Sequence, residues 1–429
     1  MPGIVGIYPF GLGRENWRIA RFVYYGLLAL QHRGQESVAI ATLGSELRMV
    51  SGSGMVDEAL NEEEITSLHG FIGLGCVSPI GNDPLVVVDS PVRVVLAGDG
   101  RPLMDGDQGW RAFAEALSDE ISRVKNPLKA AVKLVEEVDG GYSFIALTED
   151  QVMLAGRDRR GVKPLEVGSL GFDLGVVASE SCALDVLGME HAGSIKPGEV
   201  VKFDPYSVER AVVRNASNPS YCSFEYVYLA RPDSILNGVH VYAVRERIGE
   251  ALAGESPIRA DVVVGVPETA VPFAMGFSRA SGIPVSLGFV TTGRKVRTAI
   301  KPSLIERLTG VQLKLNPVKS AIDGRDLVLI DDSVVRGTTL RSTVWNLKRR
   351  GARRVHVRIG SPPLRSSCPY GSEIPPPDEL IARALTEDEI AEVIGADSFK
   401  FLSISGLVSA VGLPCENLCL KCWLEGGPC

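Results

Sequence analysis

The sequence predicts an α+β layered unit followed by an α/β unit built on a parallel sheet. Three observations carry this. The first half holds short β-rich stretches punctuated by glycine, with helices set apart between them; the second half alternates strand and helix; and the change falls at the small, polar, proline-containing stretch Asn215-Ala-Ser-Asn-Pro219. The length of 429 residues suits two or three domains at roughly 150 residues each.

In the first half, strands are expected at Gly3–Ile7, Phe71–Gly75, Leu85–Val88, Val92–Ala97, Tyr142–Leu147 and Val176–Ala178, and helices at Ile19–Leu30 and Arg111–Val138. In the second half, helix Tyr242–Gly254 leads to strand Val262–Val266. Helix Pro272–Ser281 leads to strand Val285–Val290, and strand Leu327–Ile330 feeds helix Thr339–Arg350 before strand Val355–Ile359. Such alternation calls for parallel strands joined by helical crossovers.

Composition narrows the function classes. Lys and Arg total 45 against 52 for Asp and Glu, a net charge of −7, which argues against broad binding to nucleic acid or anionic membranes. No apolar run reaches the roughly 18 residues of a bilayer span, and Met1-Pro2-Gly3-Ile4 lacks the layout of a signal peptide, so a cytoplasmic chain is expected. In that setting the eight cysteines point to buried thiols, a metal site or catalysis before disulfides.

The strongest motif is Val328-Leu-Ile-Asp-Asp-Ser-Val-Val-Arg-Gly-Thr-Thr339. An apolar strand delivers Asp331 and Asp332 to its carboxyl end, where ligands sit in open α/β sheets. A tight Arg336-Gly337-Thr338-Thr339 turn then opens a helix whose amide groups and hydroxyls suit a phosphate dianion. The acidic pair can hold ribose hydroxyls or a divalent cation. No Gly-Lys-Ser/Thr is present, which excludes a Walker loop. A lone Asp-Asp would more often be a solvated pair of acids; the Arg-Gly-Thr-Thr continuation favours a sugar phosphate.

This motif resembles the phosphoribosyl pyrophosphate signature of phosphoribosyltransferases, and in detail that of the amidophosphoribosyltransferase family. Leu30-Gln-His-Arg-Gly-Gln-Glu36, Ser179-Glu-Ser-Cys-Ala-Leu-Asp185, Phe224-Glu-Tyr-Val-Tyr-Leu-Ala-Arg-Pro-Asp-Ser234 and Lys314-Leu-Asn-Pro-Val318 resemble it in order, over almost the whole chain. The resemblance implies a four-layer Ntn-hydrolase-like class II glutamine amidotransferase domain over 2–217. A type I phosphoribosyltransferase domain would follow over 218–429. It assigns Asp331 and Asp332 to Mg²⁺ and ribose, and the Ser333, Arg336, Gly337, Thr338 and Thr339 loop to the 5′-phosphate. Val266-Pro-Glu-Thr269 falls where the family meets pyrophosphate and metal, so Glu268 and Thr269 join the site, Thr269 beside Mg²⁺. In the mobile loop, Thr291-Thr-Gly-Arg-Lys-Val-Arg-Thr298 lacks the family's tyrosine but keeps Arg294, Lys295 and Arg297, cations suited to leaving pyrophosphate.

The glutaminase half departs from the pattern. The family begins with a cysteine nucleophile; this sequence has Pro2 there, with neither thiol nor hydroxyl. Gly73-Leu-Gly-Cys-Val-Ser-Pro-Ile-Gly81 puts Cys76 in place of the substrate-holding arginine. Gly98-Asp-Gly-Arg101 puts Asp99 where an amide donor should stabilise an oxyanion. Cys76 reads as a small buried thiol rather than a substitute nucleophile, and His32, though retained, as structural. The expectation is a glutaminase fold without its reaction.

Cys419-Leu-Lys-Cys422 is a CxxC pair, with Cys222 and Cys368 standing alone in sequence. Four thiolates suit a 4Fe–4S cluster and also Zn²⁺. The family resemblance favours iron–sulfur, with one ligand from each of Cys222 and Cys368 and two from the CxxC, in a structural role. Cys415 and Cys429 are spare, and Cys182 reads as core. The chain is thus expected to bind phosphoribosyl pyrophosphate and form phosphoribosylamine with free ammonia or ammonia from a glutaminase partner. The alternative is a regulatory or assembly homologue that senses phosphoribosyl pyrophosphate or purine nucleotides. By family analogy the chain would be a homotetramer inhibited by purine nucleotides.

Overall fold

The computed structural model describes residues 1–81, 83–104, 109–214, 216–291 and 315–424. Antiparallel strands in the first half form two sheets. One has seven strands, in the order Glu190–Ser194, Glu166–Leu170, Leu174–Ala178, Gly3–Pro9, Ile72–Ser78, Ser37–Leu43 and Leu47–Ser53. The other has six: Ser207–Val212, Glu199–Asp204, Met153–Arg157, Gly140–Thr148, Val94–Pro102 and Val86–Val88. Alternation of inward apolar residues lets the sheets share one core, in which Ile4, Tyr8, Leu74, Ile145, Met153 and Phe203 meet. Helices Ile19–Ala29 and Ser181–Val186 cover the outer face of the first sheet. Helices Gly109–Val124 and Pro127–Glu137 cover the second, giving four layers.

The long helix expected at Arg111–Val138 is two helices. Lys125 takes φ 56°, the Asn126 side chain caps the Lys129 amide at 3.0 Å, and Pro127 occupies the first helical turn, where its missing N–H is no loss.

In the second half, Val262–Gly265, Asp326–Asp331, Arg354–Ile359 and Ser398–Phe401 form a parallel sheet in that order, as the alternation predicts. Helices Val241–Glu255, Val271–Ser281 and Thr338–Arg349 pack around it. The strand expected at Val285–Val290 does not join in full. The Val263 amide bonds the Pro284 carbonyl and the Ser286 amide bonds Val263, both at 2.9 Å. Pro284 has no N–H to return, and the segment then leaves the sheet, so that Phe289–Val290 pairs with Asn316–Pro317 instead. No helix among the described residues is long and apolar enough to cross a membrane.

Candidate functional site: a cleft between a phosphate loop and a buried charge cluster

Leu327, Val328, Leu329 and Ile330 are buried in the sheet, which fixes the strand so that Asp331 and Asp332 emerge at its carboxyl end. The Asp332 amide bonds Asp331 Oδ1 at 3.0 Å, and Ser333 Oγ donates to Asp332 Oδ1 at 2.8 Å. Burial, and for Asp331 the neighbouring Asp332 charge, raise both carboxyls, Asp331 well above its ordinary value and Asp332 to about 6. A cation at this spot would relieve that crowding.

The chain then turns at Gly337, whose φ of 75° is left-handed and which caps helix Thr338–Arg349. A Cβ at Gly337 would also come within 2.9 Å of Ile381 Cδ1. Thr338 and Thr339 are exposed in the first turn, where amides lack helical partners and the helix end favours an anion.

Asp331, Asp332 and every residue from Ser333 to Leu340 line one cleft of about 890 Å³. Val266 lines it from the neighbouring strand end, bonding the Ile330 carbonyl at 2.9 Å. Glu268 is exposed and Thr269 half-buried on the loop that follows. The Arg336 head group is engaged by Glu379. The three cations Arg294, Lys295 and Arg297 lie outside the described residues.

The far wall of the cleft comes from the first half: Met1, His32, Arg33, Gly34 and Pro79 face Tyr228 and Glu373. Arg33 is buried and makes five hydrogen bonds. Nε donates to the Pro2 carbonyl at 3.0 Å. Nη1 donates to Glu180 at 2.7 Å and Glu225 at 3.0 Å, and Nη2 to Asp99 and Glu225, each at 2.9 Å. Burial would lower the guanidinium pKa, but Glu225, Asp99 and Glu180 raise it well above its ordinary value. Burial would likewise raise Glu180, but His32, at 2.7 Å, and Arg33 hold it far below the usual carboxylate range.

Sequence reasoning named Asp99 only as a bad oxyanion donor and passed over Arg33, Glu180 and Glu225 as site residues. The signal was present in the quoted Gln-His-Arg-Gly, Ser-Glu-Ser and Phe-Glu-Tyr segments. What sequence could not supply was their convergence, since Glu225 is separated from Arg33 by 192 positions. Cys76 is buried, as expected, and burial pushes its thiol up.

The cysteines of three distant segments also converge. Cys222 and Cys419 pair in adjacent parallel strands. The Arg365 amide, in the segment leading to Cys368, bonds the Cys422 carbonyl at 2.9 Å. Cys222, Cys419 and Cys422 are buried in one apolar cluster with Cys368 packed against it, and burial raises all three buried thiols. Trp423 locks the segment, its Nε1 donating to Ser223 Oγ at 2.8 Å while Ser223 Oγ donates to the Cys419 carbonyl at 2.8 Å. Among the described residues, no three side chains are placed to grip a single metal ion.

Residues 234–359 match the model of the phosphoribosyl transferase domain. An amidophosphoribosyltransferase of Methanocaldococcus jannaschii is 38% identical, the alignment covering 98% of this chain and 96% of that protein. One of Synechocystis is 34% identical, covering 96% and 89%. The structure is similar to glutamine phosphoribosylpyrophosphate amidotransferase from B. subtilis complexed with ADP and GMP, with TM-score 0.87, 33% identity and 99% and 97% of the two chains covered. A structure described as the allosteric regulatory enzyme of purine biosynthesis matches with TM-score 0.89 and 33% identity, over 99% and 96%.

Proposed function

The chain belongs to the amidophosphoribosyltransferase family of purine biosynthesis, and on that premise we propose that it forms 5-phosphoribosylamine from phosphoribosyl pyrophosphate and ammonia without a glutaminase of its own. The observation that carries this reading is the contrast across the cleft. On one wall the Asp331–Thr339 strand, turn and helix keep a phosphate cradle. On the other, Asp99 is bound into an ion cluster by Arg33, and Pro2 offers only its carbonyl. We place the boundary between the two units at 217/218.

In this mechanism the turn and helix end hold the 5′-phosphate through amides and the Thr338 and Thr339 hydroxyls, and Asp331 and Asp332 orient the ribose. Mg²⁺ fits the crowded acidic pair, and Thr269, on the loop after the neighbouring strand end, is proposed to join it. Such an ion, held by one or two protein carboxylates, takes its remaining ligands from substrate phosphates and water, and when bound it would neutralise departing pyrophosphate. Arg294, Lys295 and Arg297 are proposed to clamp that leaving group. Ammonia is already a nucleophile, so proline at the cysteine position does not block this half-reaction. Its source is solution or a partner glutaminase.

Cys222, Cys368, Cys419 and Cys422 fit a 4Fe–4S cluster better than zinc. One zinc ion draws its thiolates to about 2.3 Å from a common point, whereas a cubane holds them further apart. The four thiols packed in or against one apolar cluster supply a donor set that suits either centre, and the family resemblance favours iron–sulfur. The cluster would staple the carboxyl-terminal segment to the body. The B. subtilis relative's complex with ADP and GMP motivates purine-nucleotide inhibition here, with a homotetramer and a cytoplasmic setting following by family analogy.

Purified protein with Mg²⁺ and phosphoribosyl pyrophosphate is expected to release pyrophosphate with ammonium and not with glutamine, and Asp331→Asn to abolish release. Release driven by glutamine alone refutes the lost glutaminase. Calorimetric binding with no release from either nitrogen source establishes the regulatory alternative.

A further inference from the structure

Lys163 is completely buried, and among the described residues no carboxylate lies within ion-pair distance of its ammonium. Nζ has two neutral neighbours, Ser372 Oγ at 3.1 Å and Met1 Sδ at 3.4 Å. Of the nearby acids, Asp99 Oδ2 and both Glu225 oxygens accept from Arg33, and Asp99 Oδ1, buried with no hydrogen-bond partner among the described residues, makes no ion pair with Nζ. An ammonium taken out of water without a counter-charge is costly, and a lysine is rarely kept inside on those terms.

The position of Lys163 identifies its counter-charge. Val162, immediately before it, accepts the Cys222 amide at 3.1 Å. Ser372, which holds Nζ, closes the Cys368-Pro-Tyr-Gly-Ser372 turn. Two of the three cysteine segments therefore flank the ammonium. On the other side the lysine stem passes beneath the former oxyanion segment, where a Cβ at Gly100 would come within 2.8 Å of Lys163 Cγ. Four thiolates outweigh the positive charge of a cubane core, leaving a net anion beside Nζ.

We propose that Lys163 is the counter-cation of a metal–sulfur centre held by Cys222, Cys368, Cys419 and Cys422, a positioning residue that ties that centre to the Gly98–Arg101 segment. The inference rests on the iron–sulfur reading above and adds a residue from the other domain to it.

The test uses full-length protein purified without oxygen, measuring iron, acid-labile sulfide, visible absorbance and the one-electron potential in a dye-mediated titration. Lys163→Met keeps the stem and removes the charge. Its cluster is expected to reduce at a more negative potential and to lose iron faster to a chelator, with Lys163→Arg restoring both. Should Lys163→Met fail to fold, Ser372→Ala releases the ammonium from its acceptor and is expected to shift the potential as well. Wild-type protein without iron and sulfide overturns the cluster reading, and this inference with it. A wild-type cluster whose potential and iron retention are unchanged in Lys163→Met or Ser372→Ala overturns the role of Lys163 alone.

Discussion

Replacing Arg33 with Met tests whether the charge cluster holds the two halves together. Arg33 is 4% exposed, with partners on Asp99 and Glu180 in one half and Glu225 in the other. Methionine fills much of the space but removes the cation shared by three buried carboxylates, leaving Glu180 with His32 alone. Removing one partner of a buried pair costs about 3–5 kcal/mol. At about 2–4 °C of melting temperature per kcal/mol for units of this size, the variant is expected to melt about 6–20 °C lower. The double variant Arg33→Met/Asp99→Asn removes one stranded charge and is expected to recover about 1–2 kcal/mol of that loss. Urea unfolding followed by tryptophan fluorescence reads both halves, through Trp110 and Trp423. A loss below about 1 kcal/mol, the worth of an exposed pair, would falsify the claim that Arg33 joins the halves.

Other outcomes follow from the same geometry. Glu180 is held below its unfolded pKa, so its contribution is present above about pH 4.3 and is lost as pH falls through the depressed folded value. Stability measured from pH 6 down to pH 2 should decline in wild type, and Glu180→Gln should flatten that decline while lowering stability at neutral pH. Gly337→Val places a branched side chain at φ 75° and against Ile381; it is expected to cost at least about 1–2 kcal/mol, and calorimetry should show weakened phosphoribosyl pyrophosphate binding. Thr338→Ala removes one hydroxyl from an exposed position and should weaken that binding several-fold with the melting temperature within about 1 °C of wild type.

The fold was legible because its signals are local. The Leu327–Ile330 apolar run, the two acids behind it and the glycine before Thr338 lie within a dozen positions and obey rules of strand burial and turn geometry that need no partner. The same holds for the alternation of strand and helix after Val262. The Lys125–Pro127 break is equally local: an Asn-Pro pair is a helix start, which apolar periodicity alone does not register. What stayed hidden depends on long-range charge. Arg33 and Glu225 lie in segments the sequence marks, but 192 positions apart, and Lys163 is an ordinary surface residue type, so their meeting in the interior is not written locally.

Placing a cysteine at position 2 tests the proposed loss of glutamine chemistry in the first half. Pro2→Cys supplies a thiol, yet the group nearest an oxyanion would still be Asp99, whose charge opposes the developing negative charge. Asp99 cannot turn away cheaply, since Oδ2 is held by Arg33 at 2.9 Å while Oδ1 is buried with no hydrogen-bond partner among the described residues. Nor does Cys76 offer a cation to the glutamine carboxylate, because burial keeps its thiol protonated. Pro2→Cys alone is therefore expected to give no glutamine-dependent pyrophosphate release. Adding Asp99→Asn is expected to supply an amide donor at that position but costs Arg33 one of its three counter-charges. Glutaminase activity in Pro2→Cys with Asp99 intact would show that the ion cluster leaves the old site usable.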